Sequence, residues 1–294
     1  MEFPLQPPRH NPRVPAPRPA MPRLPFLFLS TLLVLPASGG ASGPQWRQGW
    51  GLAGTAPAAE TRHDTRFVLL QLQVRGGGHA ARVRNLLAGP VQVRLRDAAS
   101  GGEAAPATLL AAGGQRELLW RDDGAGPVRW LLDAFPGDPA TRPDDHLYHL
   151  PFDAMRVRVS QGFGGHYSHT DAQNRHAVDF PLAEGTPVLA ARAGTVMQAV
   201  EDAPDDGSLL RVLHADGSMA VYAHLQAGSF RVRPGQHVEA RQALARSGNS
   251  GRSSGPHLHF AVQANTGLAL ASIPFRMAGP QGELRFPRET GALP

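Results

Sequence analysis

The sequence predicts an all-β protein, with a small N-terminal β-sandwich followed by a second domain of antiparallel sheet. Three observations carry this reading. Glycine (33) and proline (28) are frequent, and they cut the chain into short segments. Apolar residues recur with period two in many of those segments. The second half holds no helical pattern sustained over a dozen residues. The chain has 294 residues and is 41% apolar, enough for two ordinary domains with packed cores.

The N-terminus reads as a targeting segment. Residues 1–20 are rich in proline and arginine and have no apolar period. Met21-Pro-Arg23 then precedes the 12-residue run Leu24–Leu35, and small residues follow from Pro36 to Gly43. A positive segment, a short apolar stretch and a small-residue zone make a secretory signal peptide. The run is too short for a bilayer, which takes roughly 20 helical residues. Residues 1–43 are therefore expected to be an N-terminal extension and signal peptide, with translation starting at Met1 or Met21. The mature protein is expected in the periplasm or outside the cell, free of the membrane once the signal is cleaved. Residues 44–63 are Gly/Ala-rich and read as a flexible linker.

The formal charge is +5 and there is no lysine. The arginines are scattered rather than clustered, so the charge reads as compositional bias, and no nucleic-acid partner is expected. Cysteine is absent, which excludes disulfides and a cysteine-linked lipid anchor. Any metal site must therefore use His, Asp or Glu.

Residues 64–138 give the sandwich. Arg66–Val74, Ala81–Asn85, Val91–Arg96, Glu117–Trp120 and Val128–Leu132 alternate apolar and polar residues between Gly, Pro and Asp turns. No metal-like or nucleophile cluster occurs there, and this domain is read as an accessory. Residues 139–150, with several Pro and Asp, read as a linker. Residues 151–285 form the second domain and 286–294 a tail. Strands are expected at 185–190, 194–200, 209–213, 219–225, 230–232 and 257–262, with Asp216-Gly217 as a hairpin turn.

Eight of the 13 histidines follow Pro151. On a strand, residues two or four apart share a face. His257 and His259 therefore reach one site, fed by the Gly/Ser-dense loop 247–256. By the same period Ala220, Tyr222 and His224 share a face. Three histidines on two strands with a carboxylate suit zinc, which in catalytic sites takes three protein ligands and leaves a fourth position open. His214 beside the hairpin turn and His237 in a turn read as structural or surface residues.

These residues carry a resemblance. Ala177-Val-Asp-Phe180, Gly185-Thr-Pro-Val188, Ala191–Val196, Val221-Tyr-Ala-His-Leu225, Val232–Gln236, Ser247-Gly-Asn-Ser-Gly251 and Gly255-Pro-His-Leu-His-Phe260 together resemble the lysostaphin/LytM-type zinc endopeptidases, which cut peptides of bacterial cell walls. The resemblance covers residues 151–275 and omits the sandwich. It implies one zinc ion per chain, held by a His, Asp179 and His259. It makes His224 and His257 the catalytic histidines and a peptidoglycan peptide the substrate. The sequence departs from the family at the first ligand. The usual His-x-x-x-Asp spacing places Arg175 there, and a guanidinium does not ligate a cation. His176 lies three before Asp179, an odd offset that points it away from the site on a regular strand. His169 lies ten before and reaches the site if residues 170–175 form a loop. His169 is assigned in preference to His176, which a bulge would otherwise have to rescue. Tyr167 or Tyr222 could add a hydroxyl to the oxyanion, although Tyr222, mid-strand, reads as packed.

Overall fold

A computed structural model describes residues 67–122, 129–203, 207–286 and 291–292. The expected signal peptide and flexible linker lie outside the described residues, as does most of the tail. Every regular element among the described residues is a strand. The first six are β1 (Val68–Arg75), β2 (Gly78–Asn85), β3 (Val91–Asp97), β4 (Glu103–Leu110), β5 (Gln115–Asp122) and β6 (Trp130–Pro136). They form two antiparallel three-stranded sheets, ordered β1-β2-β5 and β4-β3-β6. Alternation builds them. Val91, Val93 and Leu95 of β3 face inward, and Gln92 and Arg94 are half-buried. With Val68, Ala81, Val83, Leu110, Leu132 and Ala134 they make one core between the sheets. The sequence pattern gives no sign of β4, whose Pro106 and alanines are poor strand formers. The strand holds because it lies at a sheet edge, where a missing N–H costs no ladder bond.

The remaining strands are β7 (Leu147–His149), β8 (Arg158–Val159), β9 (Val178–Pro181), β10 (Pro187–Leu189), β11 (Gly194–Ala203), β12 (Gly207–Leu213), β13 (Met219–Leu225), β14 (His237–Val238), β15 (Ala243–Arg246), β16 (His257–Asn265), β17 (Leu270–Ser272), β18 (Arg276–Gly279), β19 (Gly282–Leu284) and β20 (Gly291–Ala292). A seven-stranded sheet runs β14-β11-β12-β13-β16-β17, and β9 pairs with the N-terminal half of β16. The strand pairs are antiparallel except β7 with β18. The expected strand at 230–232 does not form. A single backbone bond ties Arg231 N to Leu244 O, and Pro234 follows.

The two faces of the large sheet have different fates. One face is the main core, where Val178, Phe180, Leu210, Tyr222, Leu258 and Phe260 are buried with Phe152 and Phe275. Its aromatic rings meet edge-to-face, Tyr222 on Phe260 at 5.3 Å and Phe260 on Phe275 at 5.1 Å. That geometry adds to the burial energy of the rings. The other face is divided along its length. At one end the sandwich packs on it: Met197, Met219 and Leu270 join the sandwich core, and Asn265 Nδ2 donates to Phe135 O and Gly137 O. In the middle, Ala177 covers Val221 and Ala261, and Gln263 Nε2 donates to Gln173 O. The far end is left for the histidines. All described residues belong to one compact unit, Ala37–Pro294.

His214 and His237 behave as the sequence suggests. His237 is exposed beside Glu239. His214 is buried behind the turn at Asp216-Gly217, its Nδ1–H donating to Ala193 O at 2.9 Å. Burial lowers its pKa to about 4, with Arg192 adding repulsion and Asp216 opposing it. The folded state therefore resists protonation, while the unfolded chain takes up a proton near pH 6.5. Stability is intact above about pH 6.5 and falls as pH drops toward 4, by up to about 3 kcal/mol from this group. Urea unfolding at pH 7 and pH 4.5 tests this. The His214→Gln variant is expected to lose less stability across that window than the native chain, and equal losses would contradict it.

Candidate metal centre

Strand register sets the site. His259 of β16 lies opposite Asp179 of β9 on one side and Ala223 of β13 on the other. Gln161, just beyond β8, forms a bridge with Asp179. Directly paired residues project to one face. Gln161, Asp179, His259 and Ala223 thus form a row across four chain segments, and His257 joins it two residues before His259.

His169 arrives from a folded loop. Gly164 N donates to Arg175 O and His169 N to Gly165 O, while Asp171 Oδ1 accepts from Gln173 N and Asn174 N. This turn chemistry closes residues 164–175 on themselves. It delivers His169, 0% exposed, to the carboxylate of Asp179. His169 Nδ1–H donates to Gly162 O at 2.9 Å, which turns Nε2 toward Asp179 Oδ1 at 3.3 Å. His259 meets the same oxygen through Nδ1 at 2.9 Å. Burial alone would raise the Asp179 carboxyl, but the neighbouring imidazoles of His169 and His259 outweigh it and hold the group ionised, well below the usual carboxylate range. His176 points elsewhere: its Nδ1–H donates to Ser272 O at 3.0 Å and its ring packs edge-on against Phe163. Arg175 is exposed and contributes its carbonyl.

His224 reaches the site by a route the sequence pattern misstates. Period two groups it with Tyr222, but Tyr222 is fully buried in the core, its hydroxyl accepting from Ala191 N at 2.8 Å. Tyr222 is therefore a packing residue with no exposed hydroxyl. Between the pairs Leu210↔Tyr222 and Ser208↔Leu225, β13 carries one extra residue. His224 takes a left-handed φ of 59° there. Such a conformation costs a non-glycine residue on the order of 1 kcal/mol. The bulge turns the imidazole to the opposite face, with its ring 4.6 Å from that of His257 and 5.9 Å from that of His259.

Ser250 secures this bulge. Its Oγ donates to Leu225 O at 2.6 Å and accepts from Ser208 N at 2.9 Å, and its carbonyl accepts His224 Nδ1–H at 2.9 Å. Gly207 makes room: a Cβ there would lie 2.4 Å from Ser250. His257 is fixed likewise, Nδ1–H donating to Gly255 O at 2.8 Å with Ser253 Oγ at 3.1 Å. In both rings Nε2 is left to accept. Burial, then repulsion from His259 and His257, lowers the His224 pKa to about 4, so it is neutral at pH 7. His257 Nε2 lies 3.8 Å from Asp179 Oδ1. Tyr167 is 80% exposed, its ring stacked on His166 at 4.2 Å.

The residues present fit a divalent cation. One ligand atom each from His169, Asp179 and His259 lies within 4.8 Å of the others. His169 Nε2 is buried and makes no hydrogen bond. A buried polar atom without a partner is costly, and a cation would remove that cost. Two imidazoles and a carboxylate are a donor set that zinc takes in catalytic sites. Gln161 has no mark in the sequence, because it acts through contacts between segments far apart in the chain; Ser250 stands in the Ser247–Gly251 motif, but its hold on the bulge shows only in the fold.

An all-β frame that gathers two imidazoles and a carboxylate beside two further histidines can do metal-assisted hydrolysis. Residues 173–270, a third of the chain, match the model of Peptidase family M23. The match takes in Asp179, His224, His257 and His259 and begins after His169. An uncharacterized metalloprotease of Haemophilus influenzae is 35% identical over 127 residues, 42% of this chain and 26% of that protein. The peptidoglycan DD-endopeptidase ShyA of Vibrio cholerae is 29% identical over 133 residues, 43% of this chain and 30% of that protein. The glycyl-glycine endopeptidase ALE-1 of Staphylococcus capitis is 33% identical over 106 residues, 36% of this chain and 29% of that protein. The chain thus spans under a third of the length of these relatives.

Ser250→Ala is expected to destabilise the protein by about 1–3 kcal/mol, since the buried Ser208 N–H and Leu225 carbonyl lose a partner. Ser250→Thr keeps the hydroxyl and most of the stability. Urea denaturation of the two variants decides the point, and an alanine variant as stable as the native chain would contradict it.

Proposed function

We propose that residues 151–285 form a zinc-dependent endopeptidase that hydrolyses peptide bonds of bacterial cell-wall peptidoglycan, in cross-links or stem peptides. One observation carries the reading. The buried His169 Nε2, with no hydrogen bond, is turned toward Asp179 and His259 beside two more imidazoles. The family match and the names of the relatives support the substrate class.

In this reading His169, Asp179 and His259 hold one zinc ion per chain. When bound, zinc polarises the scissile carbonyl and acidifies water at its open position. His224 and His257 do the proton work. Each has Nδ1 engaged by a backbone carbonyl, so Nε2 is the atom that takes a proton from water and later returns it to the leaving amine. Protonated, either ring also hydrogen-bonds the developing oxyanion. Asp179 keeps its negative charge and orients the two ligand imidazoles. The sandwich over residues 64–138 acts as an accessory domain. The protein works after export, in the periplasm or outside the cell.

Purified peptidoglycan digested by the protein and analysed by mass is expected to release peptide-bond cleavage products, to lose them with a chelator and to regain them with zinc. Zinc bound without released fragments would instead mark a wall-peptide binder. His169→Ala is expected to lose zinc and His176→Ala to keep it, and full zinc occupancy in the His169 variant would overturn the ligand assignment. His257→Ala should retain zinc while losing about 100-fold or more in rate.

A further inference from the structure

Gln161 stands at the end of the row that holds Asp179 and His259, and nothing in the catalytic reading uses it. It is buried, 5% exposed. Its backbone pairs with Asp179: Asp179 N donates to Gln161 O at 2.9 Å, and Ser160 N donates to Asp179 O at 2.9 Å. That pairing sets the two side chains next to each other on one face. Gln161 Nε2 donates to Asp179 Oδ2 at 3.1 Å and to Ser168 Oγ at 2.7 Å. Gln161 Oε1 accepts from Tyr167 N at 2.9 Å and from Ser168 N at 3.3 Å. All of its hydrogen-bonding capacity is therefore divided between two targets. One is the carboxylate oxygen that faces away from the imidazoles. The other is the turn immediately before His169.

The surroundings are shaped to this side chain. A Cβ on Gly165 would lie 2.2 Å from Gln161 Cγ and 2.7 Å from its Oε1. Cγ cannot swing aside as a flexible tip would, so residue 165 has no room for a side chain while Gln161 stays in place. The loop passes over the glutamine at its narrowest residue, and four residues later it presents His169.

We infer that Gln161 is a positioning residue that couples the two ends of the metal centre: one amide fixes the rotation of the Asp179 carboxylate and pins the loop that supplies His169. This inference rests on the metal-site reading above. It explains how a histidine ten residues before Asp179 serves where a spacing of four would set both side chains on one strand. With four-residue spacing, strand geometry alone aligns the ligands. With the loop inserted, alignment needs a separate tie between loop and carboxylate, and Gln161 supplies it. A neutral amide suits the task, because a basic residue would compete with the cation for Asp179.

The test is metal affinity of the full chain, measured by stripping the metal and titrating zinc against a chromophoric chelator. Gln161→Met keeps the length of the side chain and removes every hydrogen bond. Its zinc affinity is expected to fall about 10–100-fold, the usual cost of removing a partner behind a metal ligand. With cobalt(II) in saturating excess, its visible spectrum is expected to differ from that of the native chain, a change that mere loss of stability would not produce. Ser168→Ala removes one of the four bonds at an exposed position, and its affinity is expected to fall about threefold, as loss of one neutral hydrogen bond implies. This variant decides the question should Gln161→Met fail to fold. Native affinity and an unchanged cobalt spectrum in Gln161→Met, or native affinity in Ser168→Ala where the methionine variant does not fold, would overturn the inference and leave the metal site standing. A native chain that takes up no zinc would overturn the site reading itself.

Discussion

The register of β9 against β16 is the constraint on which the rest of the structure depends. It puts Asp179 opposite His259, and it does so through backbone bonds that do not know the chemistry of either side chain. A slip by one residue would send His259 into the core and Leu258 to the site. The core prevents this. Leu258 and Phe260 are fully buried, and such a slip of β16 would expose both. Burying each large apolar side chain contributes about 1.5–3 kcal/mol. A polar site with little cohesion of its own is thus held in place by the apolar face behind it.

The bulge at His224 is the one place where the sheet departs from its own period to complete the site. A regular strand would bury that imidazole among Tyr222 and Phe260. The left-handed turn of the backbone has a cost, and Ser250 offsets it with three hydrogen bonds that also fix the ring. Strain of this kind persists only where the neighbours over-determine it. Here they do, because the loop that carries Ser250 also leads into His257.

Much of this was legible in the sequence, for reasons that differ by element. Val91–Arg96 alternates because one face is core and the other solvent, so β3 reads directly. His257 and His259 read as a pair because β16 is regular through them. The face of His224 was misread, since period two is a property of regular strands and a bulge leaves no local mark. β4 was missed because an edge strand tolerates residues that propensity rejects. The place of His169 was inferred from what Arg175 and His176 lack, and the loop geometry brings it beside Asp179. Gln161 was invisible, since its partners are defined only when segments 160–161, 165–169 and 179 meet.

The pairing of Asp179 with His259 also has a meaning in time. The two residues are 80 apart in the chain. The histidines at 257 and 259 come after the sandwich, the loop and five strands of the large sheet have been made. Contacts between distant segments form late, because the loops between them must first be closed. No fragment ending before β16 contains a complete site. A growing chain therefore lacks the assembled cluster until β16 has been made, however much of the frame around it is already folded.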